Sequence, residues 1–389
     1  MHIALIANHY TLKKGGAERY CVNLARTLAQ AGHRVSVLAQ SIDAELKGEN
    51  EFLPVKVNRI SSWKRIQSFD ENTQKLLKQH HFEHIVGLCN TPHADLVRVT
   101  GRIHAHWMGL RYTNRWHHQL QRLNPRHRAI LNLEKRTFTN PNTRWYIAQS
   151  TLEKELLVQY YQVPAEKIRV IYNGVDQTTF SPHHSEDAWQ IRHDLGTPHN
   201  ALLCLFAATC DFENKGLKTV LKALSQCHDK TLHLAVLGNG NLRKFTSLAK
   251  KLGVVDRVIF RRRQRNIQHF YAAGDLFVFP TLYEPFPNVN LEAMASGTPI
   301  ITSRTCGGKD LVQEGKNGYT IRDGNAVEEL VAKINHFTGL SQTERQKMSF
   351  ASCQRASQFQ LRENAQKITD LLLSPKDSAK ASPRPPFAA

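Results

Sequence analysis

Short apolar runs alternate with helical stretches along this chain, and the alternation starts afresh near its middle. His2–Ala7, Arg34–Leu38, His84–Leu88, Trp145–Ala148 and Ile168–Tyr172 read as buried strands. Between the first two, Val22, Leu24, Ala25, Leu28 and Ala29 recur at helical spacing, and Gly32 stands where a C-terminal cap belongs. Asn173-Gly174-Val175-Asp176 is a turn signal, after which the pattern restarts with strands at Leu202–Ala207, His233–Leu237, Arg257–Phe260, Leu276–Phe279 and Pro299–Ser303. Helices are expected between them, at Leu217–Leu224, Leu242–Leu252, Ile267–Ala273 and Val289–Ala295. Strands separated by helices pair in parallel, because each crossover must carry the chain back to the same sheet edge. The expected class is therefore α/β, with two doubly wound Rossmann-like domains facing a central cleft.

A chain of 389 residues is long enough for two such cores. The expected divisions are a first domain over 1–172, a second over 173–345, and C-terminal helices over 346–373 that return to the first domain. The remainder, 374–389, is rich in Pro, Ser, Ala and Lys and reads as a disordered tail. Open α/β sheets bind ligands beyond the carboxyl ends of their strands, so functional residues belong on the loops that follow strands.

Two common ligand classes are disfavoured by the first such loop. A dinucleotide site needs GxGxxG after the first strand and an acid about twenty residues on; the loop here is Asn8 to Gly16 and the second strand runs out into Ala39-Gln40. The phosphate-cradling GxxxxGK[ST] pattern is also missing. Gly15-Gly16 before a helix still permits close approach of backbone to an anion. The seven cysteines are an odd set with no CxxC spacing, which argues against a disulfide framework or a zinc knuckle and for a reducing compartment. No apolar run approaches the roughly 18 residues that span a bilayer, and the start MHIALIANHY reads as a buried strand rather than a secretory signal.

A formal charge of +19 speaks of partners. Residues 1–172 carry 25 basic and 13 acidic side chains, a balance of +12. The densest stretch, Arg98 to Arg136, holds nine Lys/Arg against the single acid Glu134, with Trp107, Tyr112 and Trp116 interleaved. Such a stretch suits an anionic membrane surface or a phosphorylated acceptor. No aromatic-basic RNA motif supports nucleic acid as the partner.

The most informative passage runs from Leu276 to Pro299 and reads strand, loop, helix, cap, strand. Its helix begins near Asn288, so the free amides of its first turn face the loop that carries Glu284, with Glu292 one turn in. The helix start suits a phosphate. The two carboxylates suit a sugar diol, since an ionised carboxylate accepts two neighbouring hydroxyl hydrogen bonds.

This passage, EPFPNVNLEAMASGTPII, resembles the retaining glycosyltransferases of family 4, which use the GT-B fold, and Glu284 with Glu292 matches the family's E-x7-E signature. Gly15-Gly16, the NGVD at 173–176, Phe212-Glu213-Asn214-Lys215-Gly216 and Gly307-Gly308 agree with it. Within the family, His104-Ala105-His106-Trp107, Leu133 to Phe138 and Arg243 to Val254 are most similar to the lipopolysaccharide core glucosyltransferases.

The resemblance implies that Glu292 holds the donor ribose and Glu284 lies against the hexose. It implies that the amides around Phe286, Asn288 and Val289 meet hexose or phosphate, and that Lys215 neutralises the diphosphate. Gly15 and Gly16 would approach the β-phosphate, and His104 would touch the donor sugar, with His106 as the competing choice. The catalytic set is then Glu284, Lys215 and His104. The family also places an arginine a few residues before that lysine, whereas here Asp211, Phe212, Glu213 and Asn214 precede it. Either Lys215 works alone or a cation from elsewhere, Arg243, Lys244 or Arg263, completes the clamp. No bound metal and no cofactor beyond the nucleotide-sugar co-substrate are expected. The implied reaction moves a hexose, best taken as glucose from UDP-glucose, onto lipopolysaccharide core at the cytoplasmic face of the inner membrane. GDP-mannose or a UDP-N-acetylhexosamine used for capsule or O-antigen is the alternative. A silent sugar-nucleotide-binding module is the alternative of another class.

Overall fold

A computed structural model describes residues 1–13, 16–182 and 187–373. The disordered tail expected over 374–389 and the first of the two loop glycines, Gly15, lie outside the described residues. Seven strands form the first sheet: β1 (His2–Ile6), β2 (Arg34–Ala39), β3 (Glu51–Pro54), β4 (His84–Gly87), β5 (Leu96–Arg98), β6 (Trp145–Ala148) and β7 (Ile168–Val170). Their order is β3-β2-β1-β4-β5-β6-β7, and every pairing is parallel. Six more form the second sheet: β8 (Leu203–Ala207), β9 (His233–Leu237), β10 (Val258–Arg261), β11 (Leu276–Phe279), β12 (Ile300–Ser303) and β13 (Gly318–Ile321), in the order β10-β9-β8-β11-β12-β13. Both sheets reverse strand order at their centre, between β1 and β4 and between β8 and β11. That reversal opens the crevice in which doubly wound sheets take ligands.

The apolar runs became strands because helices cover both faces. Ile3, Ala4, Leu5 and Ile6 are all fully buried, as are Leu276, Phe277 and Val278 at the centre of the second sheet. Three strands escape the sequence pattern for identifiable reasons. β3 is bounded by Glu51 and Pro54, and a proline is tolerated there because β3 is an edge strand. β5 has only three residues, and β13 opens on a glycine.

The C-terminal helices expected over 346–373 are two, Gln342–Ala356 and Leu361–Leu373. The break follows from a crossing of chains. The Val175 N–H donates to Phe359 O at 2.9 Å, and Val175 pairs with Gln360 as an isolated bridge. Gly174 permits the crossing, since a Cβ there would stand 2.3 Å from the Leu361 nitrogen. Beyond the break the last helix packs Ala365, Ile368 and Leu372 into the core of the first lobe, whereas Met348 and Ala356 of the helix before it belong to the second. The chain thus crosses between lobes twice, at 173–176 and at 357–361.

Candidate active site

Lys215 and Glu284 follow β8 and β11, the two strands that flank the reversal in the second sheet. The loops that carry them are stitched together. The Leu282 N–H and the Thr281 hydroxyl both donate to Asn214 O, at 2.8 and 2.9 Å, and the Asn214 amide donates to Tyr283 O at 3.2 Å. Gly216 makes the turn possible: its φ is +84°, and a Cβ would lie 1.9 Å from Pro280 O. The result places the Lys215 ammonium in direct ion pairing with the Glu284 carboxylate. Both side chains are largely buried, and the ammonium also lies 5.6 Å above the Phe279 ring.

The helix Asn288–Ala295 begins three residues beyond that loop with Pro287 at its cap position and no side-chain cap. Its first amides are therefore available to a ligand anion, and the helix dipole favours one. Asn288 accepts a hydrogen bond from the Asn173 amide at 2.7 Å, which ties the helix start to the first crossover between lobes. Phe286 is buried with its ring on Tyr172, and Val289 is half-buried against the same core. Glu292, one turn in, receives the Tyr271 hydroxyl at 3.3 Å. Burial pushes its carboxyl up to about 7, against the opposing pull of that hydroxyl and of Arg19 on the first-lobe helix Gly16–Gln30. Gly16 opens that helix.

The first lobe closes over the Glu284 loop. Ile103 N–H donates to the Tyr283 hydroxyl at 3.1 Å, and the Ser150 hydroxyl donates to Pro285 O at 2.7 Å. Thr151 gives its N–H and hydroxyl to the Asp310 carboxylate at 2.7 and 2.6 Å. Besides Arg19, a second cation from this side reaches the site. Arg102, in the segment after β5, places Nη2 3.5 Å from a carboxylate oxygen of Glu284 and 3.5 Å from one of Asp211. Sequence reasoning passed over Arg102 as one basic residue in a basic stretch, because nothing local marks a contact made across the two lobes. The cations considered instead stand otherwise. Lys244 pairs with Glu213, Arg243 is exposed on the same helix, and the backbone of Arg263 donates to the Asn239 side chain at 3.2 Å.

His104 and His106, both on the first-lobe helix His104–Arg111, face different neighbours. The His104 ring bonds His127 at 2.9 Å and stacks on Trp107, and both partners belong to the first lobe. Burial, with His127 and Arg126 adding to it, lowers its imidazole to about 4, so it is neutral near pH 7. His106 faces the second lobe, its ring edge-on to Tyr283 at 4.7 Å. Glu134 fixes this arrangement by accepting the His104 and Ala105 amides at 2.6 and 3.3 Å, capping the helix His104–Arg111.

The basic stretch also separates into parts. Arg98 is buried, its guanidinium 3.8 Å from the Tyr20 ring, and is therefore no part of a surface. Arg136 pairs with Asp70 at 2.6 Å. The exposed part centres on the helix Arg115–Leu123, where Trp116, Leu120 and Leu123 are 81%, 65% and 67% exposed beside Arg111, Arg115, Arg122 and Arg126. Among the described residues no helix is long and apolar enough to cross a membrane.

Two lobes, a crevice at each sheet reversal, and an acid-lysine pair beside an uncapped helix define a protein of the GT-B class. The chain belongs to the glycosyltransferases: residues 14–179 match the model of Glycosyltransferase Family 4, and residues 187–352 match that of Glycosyl transferases group 1. It is similar to the lipopolysaccharide glucosyltransferase WaaG of Escherichia coli, 26% identical over 322 residues that cover 81% of this chain and 84% of that protein. The crystal structure of a WaaG superposes with a TM-score of 0.81 at 24% identity, over 96% of this chain and all of that one. The lipopolysaccharide core biosynthesis glycosyltransferase LpsE of Rhizobium meliloti is 34% identical over 158 residues, covering 39% of this chain and 46% of that protein.

Proposed function

We propose that the protein transfers a hexose, with retention of configuration, from a UDP-sugar to the core of lipopolysaccharide at the cytoplasmic face of the inner membrane, with UDP-glucose as donor. The observation that carries this reading is the Lys215–Glu284 pair at the sheet reversal, beside the free amides of the helix Asn288–Ala295. A sugar diphosphate supplies what that arrangement lacks: an anion for the amides and Lys215, and hydroxyl donors for Glu284 and Glu292. The names of WaaG and LpsE support the acceptor class, and that of WaaG supports glucose.

The mechanism follows from the charges. As the glycosidic bond from the anomeric carbon to the β-phosphate oxygen breaks, its electron pair leaves with the diphosphate. Lys215 and the helix amides stabilise the charge that grows there. With those groups in place no metal ion is required. The acceptor hydroxyl attacks from the face the diphosphate is leaving and gives its proton to the departing phosphate oxygen, so no enzyme nucleophile intervenes. Glu284 holds the hexose hydroxyls during this step. His104, or His106 as the competing choice, meets the donor sugar; the ring of the first bonds His127 and that of the second bonds the Tyr160 hydroxyl and packs on Tyr283. The exposed Trp116, Leu120 and Leu123 with their flanking arginines form the surface that rests on the anionic bilayer where such acceptors lie.

The test is a panel of UDP- and GDP-sugars, read first as a rise in melting temperature and then as transfer to truncated lipopolysaccharide. UDP-glucose is expected to give the largest shift and to label the acceptor. A shift confined to GDP-mannose or a UDP-N-acetylhexosamine would reassign the donor. A shift without transfer from any donor would overturn the reading in favour of a silent sugar-nucleotide-binding module, and no shift with any donor would overturn both.

A further inference from the structure

The loop from Asp211 to Lys215 brings one acid, Asp211, and one ammonium toward the cleft, and Glu284 adds a second acid. A departing nucleoside diphosphate carries more than one negative charge, so Lys215 alone leaves the site short of positive charge at the moment of bond breaking. Lys244 is already paired with Glu213 in the open. Arg102 is placed otherwise. Its side chain is three-quarters buried, and a single guanidinium nitrogen stands 3.5 Å from both Asp211 and Glu284, which is ion-pair distance without a made hydrogen bond. The backbone beside it is held, since Ile103 N–H donates to the Tyr283 hydroxyl next to Glu284. A cation so held, short of a committed partner and with the planar fork that matches phosphate, is ready to be taken over by a stronger anion.

We propose that Arg102 is the second cation of the diphosphate site, supplied from the opposite lobe. Without donor it neutralises Asp211 and Glu284; an arriving diphosphate draws it away from Asp211 and shares it with Lys215. The site is complete only while the two lobes are together, as the contacts of Ile103 with Tyr283 and of Ser150 with Pro285 hold them. This rests on the transferase reading above.

The experiment titrates UDP, UMP and uridine (or the guanosine series, if the panel selects it) calorimetrically into the wild-type protein and the variants Arg102→Ala, Arg102→Lys and Asp211→Asn. Arg102→Ala is expected to weaken UDP binding about 10- to 100-fold, the worth of one charge-assisted hydrogen bond, while uridine affinity stays within about twofold. Arg102→Lys should restore part of the loss. Asp211→Asn, which removes the competing acid at a φ of +57° that asparagine adopts readily, should tighten UDP. An unchanged preference for UDP over UMP in Arg102→Ala overturns the proposal and leaves the transferase reading intact. Should Arg102→Ala fail to fold, Asp211→Asn decides, and an unchanged or weakened UDP affinity overturns the proposal. A wild-type protein that binds no nucleoside diphosphate overturns both.

Discussion

The guanidinium of Arg102 lies 3.5 Å from the carboxylate of Glu284, although one follows a strand of the first sheet and the other a strand of the second. Glu284 is thus flanked by an ammonium from its own lobe and a guanidinium from the other. The pairing offsets the acids that surround Lys215.

Lys215→Ala is expected to lower the rate of transfer by 10²- to 10³-fold, because its ammonium acts on charge that develops only as the bond breaks. Uridine binding should change little. Single-turnover transfer with saturating donor, set beside uridine affinity, separates the two effects.

Donor affinity should rise with pH between about 6 and 8. Burial pushes the Glu292 carboxyl up to about 7, and in the proposed role only its ionised form would accept both ribose hydroxyls. Below that pH the protonated acid donates one proton where a lone pair is wanted, so uridine binding weakens. Glu292→Gln should bind uridine more weakly and with a flat pH profile, measured by calorimetry across the range.

Glu153, on the first-lobe helix Thr151–Tyr161, gives a test of stability. It is fully buried, one carboxylate oxygen accepts the Gln149 N–H at 2.6 Å, and the other has no hydrogen-bond partner among the described residues. Burial raises its carboxyl to about 8, with Gln149 and Arg98 opposing and Glu284 adding to the rise. A carboxyl raised on folding favours the native state while protonated, and that advantage is lost as pH climbs from its unfolded value near 4.5 to about 8. Glu153→Gln keeps the acceptor and cannot ionise. Its melting temperature should match the wild type near pH 5 and exceed it by several degrees at pH 8.

The exposed helix Arg115–Leu123 should carry membrane binding. Replacing Trp116, Leu120 and Leu123 together by serine is expected to reduce co-sedimentation with phosphatidylglycerol vesicles at least tenfold. Each of Arg111, Arg115 and Arg122 changed to glutamine should cost about 1 kcal/mol of that binding. Neither set should alter uridine affinity, and equal binding of wild type and triple variant to anionic vesicles would remove this surface from the account.

What the sequence made legible follows the range of the interactions. Strands such as Leu276–Phe279 stand out because both faces are buried, so the apolar run is unbroken. Glu284, Lys215 and the helix start at Asn288 are legible because each sits on one short loop after a strand of one sheet. Arg102 is not, since its partners lie more than a hundred positions away and on the other lobe. The burial of Arg98 against Tyr20 is hidden for the same reason, and so is the break before Leu361, which is set by Val175 rather than by any local helix breaker. The partner of His104 is likewise a tertiary fact: His127 comes from the helix Pro125–Phe138.

The central claim is that Glu284 grips a hexose as its diphosphate leaves. The direct measurement is transfer of radiolabelled hexose from the selected nucleotide-sugar to truncated lipopolysaccharide by Glu284→Gln, in protein whose melting temperature and uridine affinity match the wild type. A loss of at least about 10²-fold in turnover is the outcome the geometry demands; turnover equal to the wild type in that variant would contradict it.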